Sequence, residues 1–181
     1  MLVSHPADTW DTLVRELEDN PTLAKDSDRK FFLKNILIVA IAALLDALFN
    51  YQNPQPVIGL LKAAITVAAF YGTFFLCTAT MRTILNKLGE NNPSDLATRR
   101  FVTYSLSLNM CIHAVLSVFH QLFFLYIAIL YTFYIIWEGV TPLLNVSDNN
   151  RTYASIILCA VITLTPFIIL SLLFRLFPVA V

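Results

Sequence analysis

Charged side chains are scarce in this sequence. Asp, Glu, Lys and Arg together make up 13% of its 181 residues, whereas a soluble domain carries about 25%. Hydrophobic residues reach 57% and gather in long runs, which excludes an ordinary soluble domain and indicates one compact membrane domain. The formal net charge is zero, so we expect the lipid bilayer as a partner and no nucleic acid.

The sequence also lacks the common signatures of catalysis and metal binding. It contains no nucleophile elbow, Walker loop, zincin pair or dinucleotide fingerprint. Its cysteines, Cys77, Cys111 and Cys159, are far apart and lie in apolar runs. We interpret them as small buried hydrophobic residues rather than metal ligands or disulfides. The sequence therefore predicts neither an enzyme nor a cofactor.

Residues 1–30 are polar and acidic and lack the apolar core of a signal peptide. Trp10, Leu13 and Leu17 fall on one stripe of a helix, which predicts a short amphipathic helix. We expect it to pack on its own membrane domain or to lie in the headgroup layer with Trp10 as an interfacial anchor. A partner-binding helix is the alternative. The predicted domains are a cytoplasmic segment, 1–30, and a membrane domain, 31–181.

Five apolar segments follow, each close to the roughly 20 residues that a helix needs to cross a bilayer. They are residues 31–49, 57–81, 101–119, 122–140 and 153–177. We predict an all-α fold, a polytopic membrane bundle of five transmembrane helices with a short N-terminal amphipathic helix.

The ends of these spans carry recognisable signals. Gly89 is expected to end the helix that contains the second span, and Ser94 or Asp95 to cap the helix that contains the third. A tight hairpin is expected at His120-Gln121, the least marked boundary. Pro166 predicts a kink in the last span.

Lys and Arg residues cluster on alternate connections between the spans. They precede the first span, separate the second from the third, and precede the fifth: Arg15, Lys25, Arg29, Lys30, Arg82, Lys87, Arg99, Arg100 and Arg151. The other two connections have none. The positive-inside rule then predicts a cytoplasmic N-terminus and a C-terminus on the opposite side.

Ionisable residues inside spans are the first candidates for function, because burying a charge in lipid is costly. Asp46 and Lys62 fall at similar depth on either side of a short connection and could form a structural ion pair. A proton or ion relay through Asp46 is the alternative.

Further polar and aromatic residues share helix faces. Asn109 and His113 are four residues apart, which favours interhelical hydrogen bonding over a metal site. Tyr131, Tyr134 and Glu138 also lie on one face, either as part of an aromatic belt or as a binding pocket.

Small residues recur at every fourth position of the second span. Ala64, Ala68 and Gly72 form a stripe that permits close approach of another helix, within the chain or in an oligomer. Trp137 lies where an interfacial anchor is expected, near the end of the fourth span.

The order of these features resembles a known family. PADTWDTLVREL precedes the first span, RRFVTYSLSLNMC opens the third, and YTFYIIWEGVTPLLNVSDNNR closes the fourth. This arrangement is similar to the bacterial branch of the Yip-one domain family, relatives of the Ypt/Rab-interacting membrane proteins. The residues that carry the resemblance are Pro6, Trp10, Tyr104, Ser105, Tyr131, Tyr134, Trp137 and Gly139.

The resemblance implies five spans with a cytoplasmic N-terminus, here in a bacterial inner membrane, and homo- or hetero-oligomers with other membrane proteins. We therefore expect an integral membrane scaffold or adaptor. A small-solute or ion transporter or channel, acting as an oligomer with a polar path, is the second hypothesis. An intramembrane enzyme is the third, without a named mechanism.

Overall fold

The computed structural model describes residues 5–49, 56–88 and 93–177. Within these ranges it is a helical bundle of six α-helices and one long 3-10 helix. They are α1 (Pro6–Asp19), α2 (Pro21–Phe49), α3 (Pro56–Lys87), α4 (Asp95–Val118), a 3-10 helix (His120–Leu130), α5 (Tyr131–Leu144) and α6 (Asp148–Leu176). Five helices in the described part of the chain are long and apolar enough to cross a membrane. The predicted fold class is confirmed, with α1 as the short N-terminal helix.

Local sequence explains where the helices begin and end. Pro6 stands at the first position of α1, where its missing N–H costs nothing. The Ser94 side chain caps α4 by accepting a hydrogen bond from the Ala97 N–H at 3.1 Å. Asn145 ends α5 in the left-handed region, with φ of 53°, a conformation that Asn tolerates better than most residues. Gly89 lies outside the described residues.

Several helices extend beyond the expected spans, for example α3 to Lys87 and α6 from Asp148. The helix of the first span begins at Pro21 rather than near residue 31, because helix-forming polar residues extend it beyond its apolar stretch. The fourth span is not one uniform helix. Its first part is the 3-10 helix, whose residues are all at least partly exposed, and its second part is α5. The turn before it falls at Phe119, one residue ahead of His120.

Helix α4 lies at the centre of the bundle, and α6 lies at its edge. About two-thirds of the residues in the most apolar stretch of α4 are buried (67%), against 22% in the corresponding stretch of α6. Helices α2, α3 and α5 all pack against α4, and α6 packs mainly against α3 and α5. Polar residues near the two ends of α4 therefore sit where several helices converge.

Candidate functional site

The polar side chains of the bundle form separate groups rather than one continuous site. One group lies where α1, α2 and α4 meet, and another lies where α2, α3 and the 3-10 helix meet. Asn109 lies between them in the core, and Glu138 pairs with Arg151 near the start of α6. A cleft also opens between α2, α3 and α4.

The structure brings Asp46 and Lys62 together. Lys62 Nζ lies 3.0 Å from Asp46 Oδ2, and both side chains are largely buried. His120 Nε2 lies 3.7 Å from the other carboxylate oxygen. The pair therefore ties α2 to α3 at the end of the bundle where the chain turns from α4 into the 3-10 helix.

Asn109 joins three helices within the core. Its amide nitrogen donates to the Ile162 carbonyl of α6 at 3.3 Å, and its side-chain oxygen accepts from the Thr132 hydroxyl of α5 at 3.2 Å. His113 instead faces the ring of Phe70, with centroids 5.4 Å apart. The two residues thus serve separate contacts. No group of three His, Cys, Asp or Glu residues that could hold a metal ion occurs within 5–49, 56–88 and 93–177.

Glu138 pairs with Arg151 across the connection between α5 and α6. Arg151 Nη2 lies 3.6 Å from Glu138 Oε2 and donates to the Trp137 carbonyl at 3.0 Å. The guanidinium also lies over the Trp137 ring, 4.7 Å from its centroid. The Trp137 side chain is half-buried, and its ring and backbone carbonyl both contact the Arg151 guanidinium. Tyr131 and Tyr134 contact each other, with ring centroids 5.5 Å apart.

Trp10 is not the interfacial anchor that the sequence suggested. Its side chain is fully buried and stacks on Phe101 of α4 at 5.4 Å between ring centroids. Its indole N–H donates to the Ile135 carbonyl of α5 at 2.9 Å. The stripe on α1 therefore faces the bundle, because burial between two helices removes more apolar area from water than a headgroup layer does.

A second contact that docks α1 was not predicted. Arg100 of α4 is completely buried, and its guanidinium donates to the Leu13 carbonyl at 2.9 Å and to the Glu16 carboxylate. Its Nε lies 3.2 Å from Asp28 Oδ1 of α2. We call Glu16, Asp28 and Arg100 the α1 clamp, because they join α1, α2 and α4 through one cation.

A sequence signal for the α1 clamp does exist. Ala97, Arg100, Phe101 and Tyr104 stand at the spacing of one helix face, and the apolar members of this face predict that it is buried. An arginine on a buried face requires carboxylate or carbonyl partners. The positive-inside rule counts Arg100 only as a loop charge and therefore does not indicate that it needs buried partners.

The small-residue stripe of α3 is divided between two surroundings. Ala64 and Ala68 are exposed on the surface of the bundle, and Gly72 is half-buried. A β-carbon on Gly72 would lie 3.5 Å from Ile169 of α6, an ordinary contact distance. Gly59, which the stripe did not include, gives the close approach to α2, since its β-carbon would lie 3.0 Å from that of Ala47.

The cleft between α2, α3 and α4 has a volume of about 650 Å³. Its lining combines cationic, acidic, hydroxyl and aromatic side chains: Thr22, Lys25, Asp26, Asp28, Arg29, Phe32, Leu33, Tyr71, Phe74, Phe75, Leu96, Arg99 and Thr103. The predicted polar residues of the spans, such as Asp46 and Glu138, are not among them.

Comparison with known proteins identifies the family. The model of the Yip1 domain, the Yip-one domain of the resemblance above, matches residues 1–170. No curated protein and no solved structure matches the chain. The matched range contains the docked α1, the α1 clamp and nearly all of the five long apolar helices. The chain is therefore an integral membrane protein that belongs to the Yip1 domain family.

Proposed function

We propose that this protein is an integral membrane scaffold that self-associates and recruits other membrane proteins, and that it acts by binding rather than by catalysis. The observation that carries the proposal is the exposure of Ala64 and Ala68 on α3. Alanines one turn apart leave a shallow strip along which a second helix can approach closely. Large side chains flank the strip, including Leu60 at 62% and Leu61 at 42% exposure.

The contacts of the polar span residues also support a scaffold. A transporter needs polar groups that face a shared path. Asp46 and Lys62 form an ion pair, and Asn109 bonds to α5 and α6. These residues therefore hold helices together, which is the expected use of polar groups in a closed bundle.

We further propose a bacterial inner membrane location with a cytoplasmic N-terminus. The basic connections lie together in space: Arg100 of α4 bonds to α1, and Asn150 at the start of α6 donates to the Leu88 carbonyl after α3 at 3.1 Å. The His120 turn lies with Asp46 at the other end of α2. A membrane-impermeant maleimide should thus label His120→Cys in intact cells and leave Asp148→Cys unlabelled until the membrane is opened. Cys111, which is exposed rather than buried as the sequence suggested, is replaced by Ala in both variants.

Disulfide trapping tests the association face directly. Cys111 and Cys159 are replaced by Ala, while the buried Cys77 is kept. Ala68→Cys should then yield a covalent dimer in membranes under mild oxidation. Ala160→Cys is the matched control, because Ala160 is also an exposed alanine within a long apolar helix, α6. Equal trapping at both positions, or none at Ala68, would count against the proposed face.

A further inference from the structure

The cleft between α2, α3 and α4 is bordered by cations that have no ion-pair partner among the described residues. Lys25, Arg29 and Arg99 all line it and are exposed. Within the part of the chain that the structure describes, their side chains form no ion pair or hydrogen bond. Arg100, the neighbour of Arg99, is in contrast paired with Glu16 and Asp28 in the α1 clamp. Over the described ranges of the chain, the cleft therefore presents positive charge that no ion pair neutralises.

The carboxylates of the cleft do not offset this charge completely. Asp28 lies 3.2 Å from the Arg100 guanidinium, so its charge is directed into the α1 clamp. Asp26 is exposed and lines the cleft. Among the described residues of the cleft, Lys25, Arg29 and Arg99 thus face a single carboxylate outside an ion pair, that of Asp26. This excess of positive charge favours an anionic ligand.

The deeper part of the cleft is apolar and opens to the outside of the bundle. Because α2 and α3 are antiparallel with Asp46 opposite Lys62, Leu33 lies level with Phe75. Both line the cleft, and their side chains are 42% and 61% exposed. From Lys25 to Leu33 the helix rises about 12 Å. Over this distance the lining of the cleft changes from charged to apolar, which matches the length of a lipid headgroup and the first part of an acyl chain.

We propose that this cleft binds one anionic glycerophospholipid. Its phosphate lies between Lys25, Arg29 and Arg99, and one acyl chain follows Leu33 and Phe75 toward the bilayer centre. The volume of about 650 Å³ is within the range of about 300–1,000 Å³ that is usual for ligand pockets. Basic pockets between transmembrane helices at the cytoplasmic side are suited to such headgroups. A soluble acidic peptide could match the cations, but it would leave the apolar, outward-facing part uncovered. The site lies apart from Ala64 and Ala68 and does not depend on self-association.

Binding can be measured by native mass spectrometry of the detergent-solubilised full chain, titrated with phosphatidylglycerol or phosphatidylcholine of the same acyl chains. One phosphatidylglycerol should bind with a clear preference. The double variant Arg29→Gln/Arg99→Gln should weaken its binding about 30-fold, since each cation near an anionic headgroup contributes about a factor of five. Asp26→Asn should strengthen binding, because it removes the opposing carboxylate.

The matched control is Arg15→Gln/Lys30→Gln, which removes the same charge from exposed residues that do not line the cleft. This variant should keep the wild-type affinity. An equal loss in both double variants, or no preference for phosphatidylglycerol, would overturn the site. So would equally tight binding of soluble glycerol phosphate, which would assign the cations to a free phosphate. Thermal unfolding of each variant confirms that the bundle is intact.

Discussion

The indole ring of Trp10 lies directly against the backbone of Gly139. A β-carbon at that glycine would come within 2.5 Å of Cε2 of the ring, closer than atoms can approach. The glycine is thus required by the docking of α1 on α5, and two features that are far apart in the sequence, the Trp of the first helix and the Trp-Glu-Gly of the fourth span, form one contact.

Gly139→Ala should therefore destabilise the bundle. Forcing extra volume into a packed site typically costs about 1–3 kcal/mol, and the ring of Trp10 is held by Phe101 and by its bond to Ile135. Thermal unfolding in detergent measures the effect. Gly72→Ala is the control, since its β-carbon would meet Ile169 at 3.5 Å and alanine is the better helix former. Equal stability of the two variants would contradict the contact.

Trp10→Ala distinguishes a core residue from an interfacial one. Removing a fully buried large aromatic side chain costs about 3–5 kcal/mol, so Trp10→Ala should unfold at a clearly lower denaturant concentration. Tyr153→Ala removes an aromatic ring that is 66% exposed, and its effect should stay near 0.5 kcal/mol, as for surface substitutions generally. Similar small changes in the free energy of unfolding for both variants would indicate that Trp10 lies in the headgroup layer.

Arg100→Met should break the α1 clamp. Removing one partner from a buried ion pair costs about 3–5 kcal/mol, because the remaining charge is left without compensation. Helix α1 should also loosen, so trypsin should cleave faster after Arg15. Arg99→Met is the adjacent control. It should leave both stability and cleavage near wild type while weakening the binding of phosphatidylglycerol, and a loss of stability equal to that of Arg100→Met would refute the assignment.

The Asp46–Lys62 pair should contribute modestly to stability. Polar contacts between membrane helices average about 0.6 kcal/mol and reach about 1.7, so Asp46→Asn should lower the unfolding temperature slightly. In a double-mutant cycle with Lys62→Met, the second substitution should cost less once the first is present. Additive costs would show that the pair contributes nothing to stability. An unchanged unfolding temperature for Asp46→Asn together with a loss of activity would favour the relay interpretation.

Sequence patterns predicted the five spans and narrowed the cap of α4 to Ser94 or Asp95, because lipid requires long apolar helices and an exposed helix start requires a side-chain acceptor. They did not predict which way Trp10 points, since tryptophan suits both a headgroup layer and a core. They also missed the structural role of Arg100, because that role depends on ion pairs with Glu16 and Asp28, which are distant in the sequence. Pair contacts between helices are therefore the part that residue patterns do not determine.

Dilution of fluorescently labelled chains in lipid vesicles tests the central claim most directly. Chains with Cys111 and Cys159 replaced by Ala are labelled at Asp148→Cys with donor or acceptor and reconstituted at decreasing protein-to-lipid ratios. Energy transfer should follow a saturable association curve, and Ala68→Leu should shift it at least tenfold toward weaker association while Ala160→Leu leaves it unchanged. Transfer no greater than random proximity in the wild type, or an equal shift for Ala160→Leu, would contradict a scaffold that associates through α3.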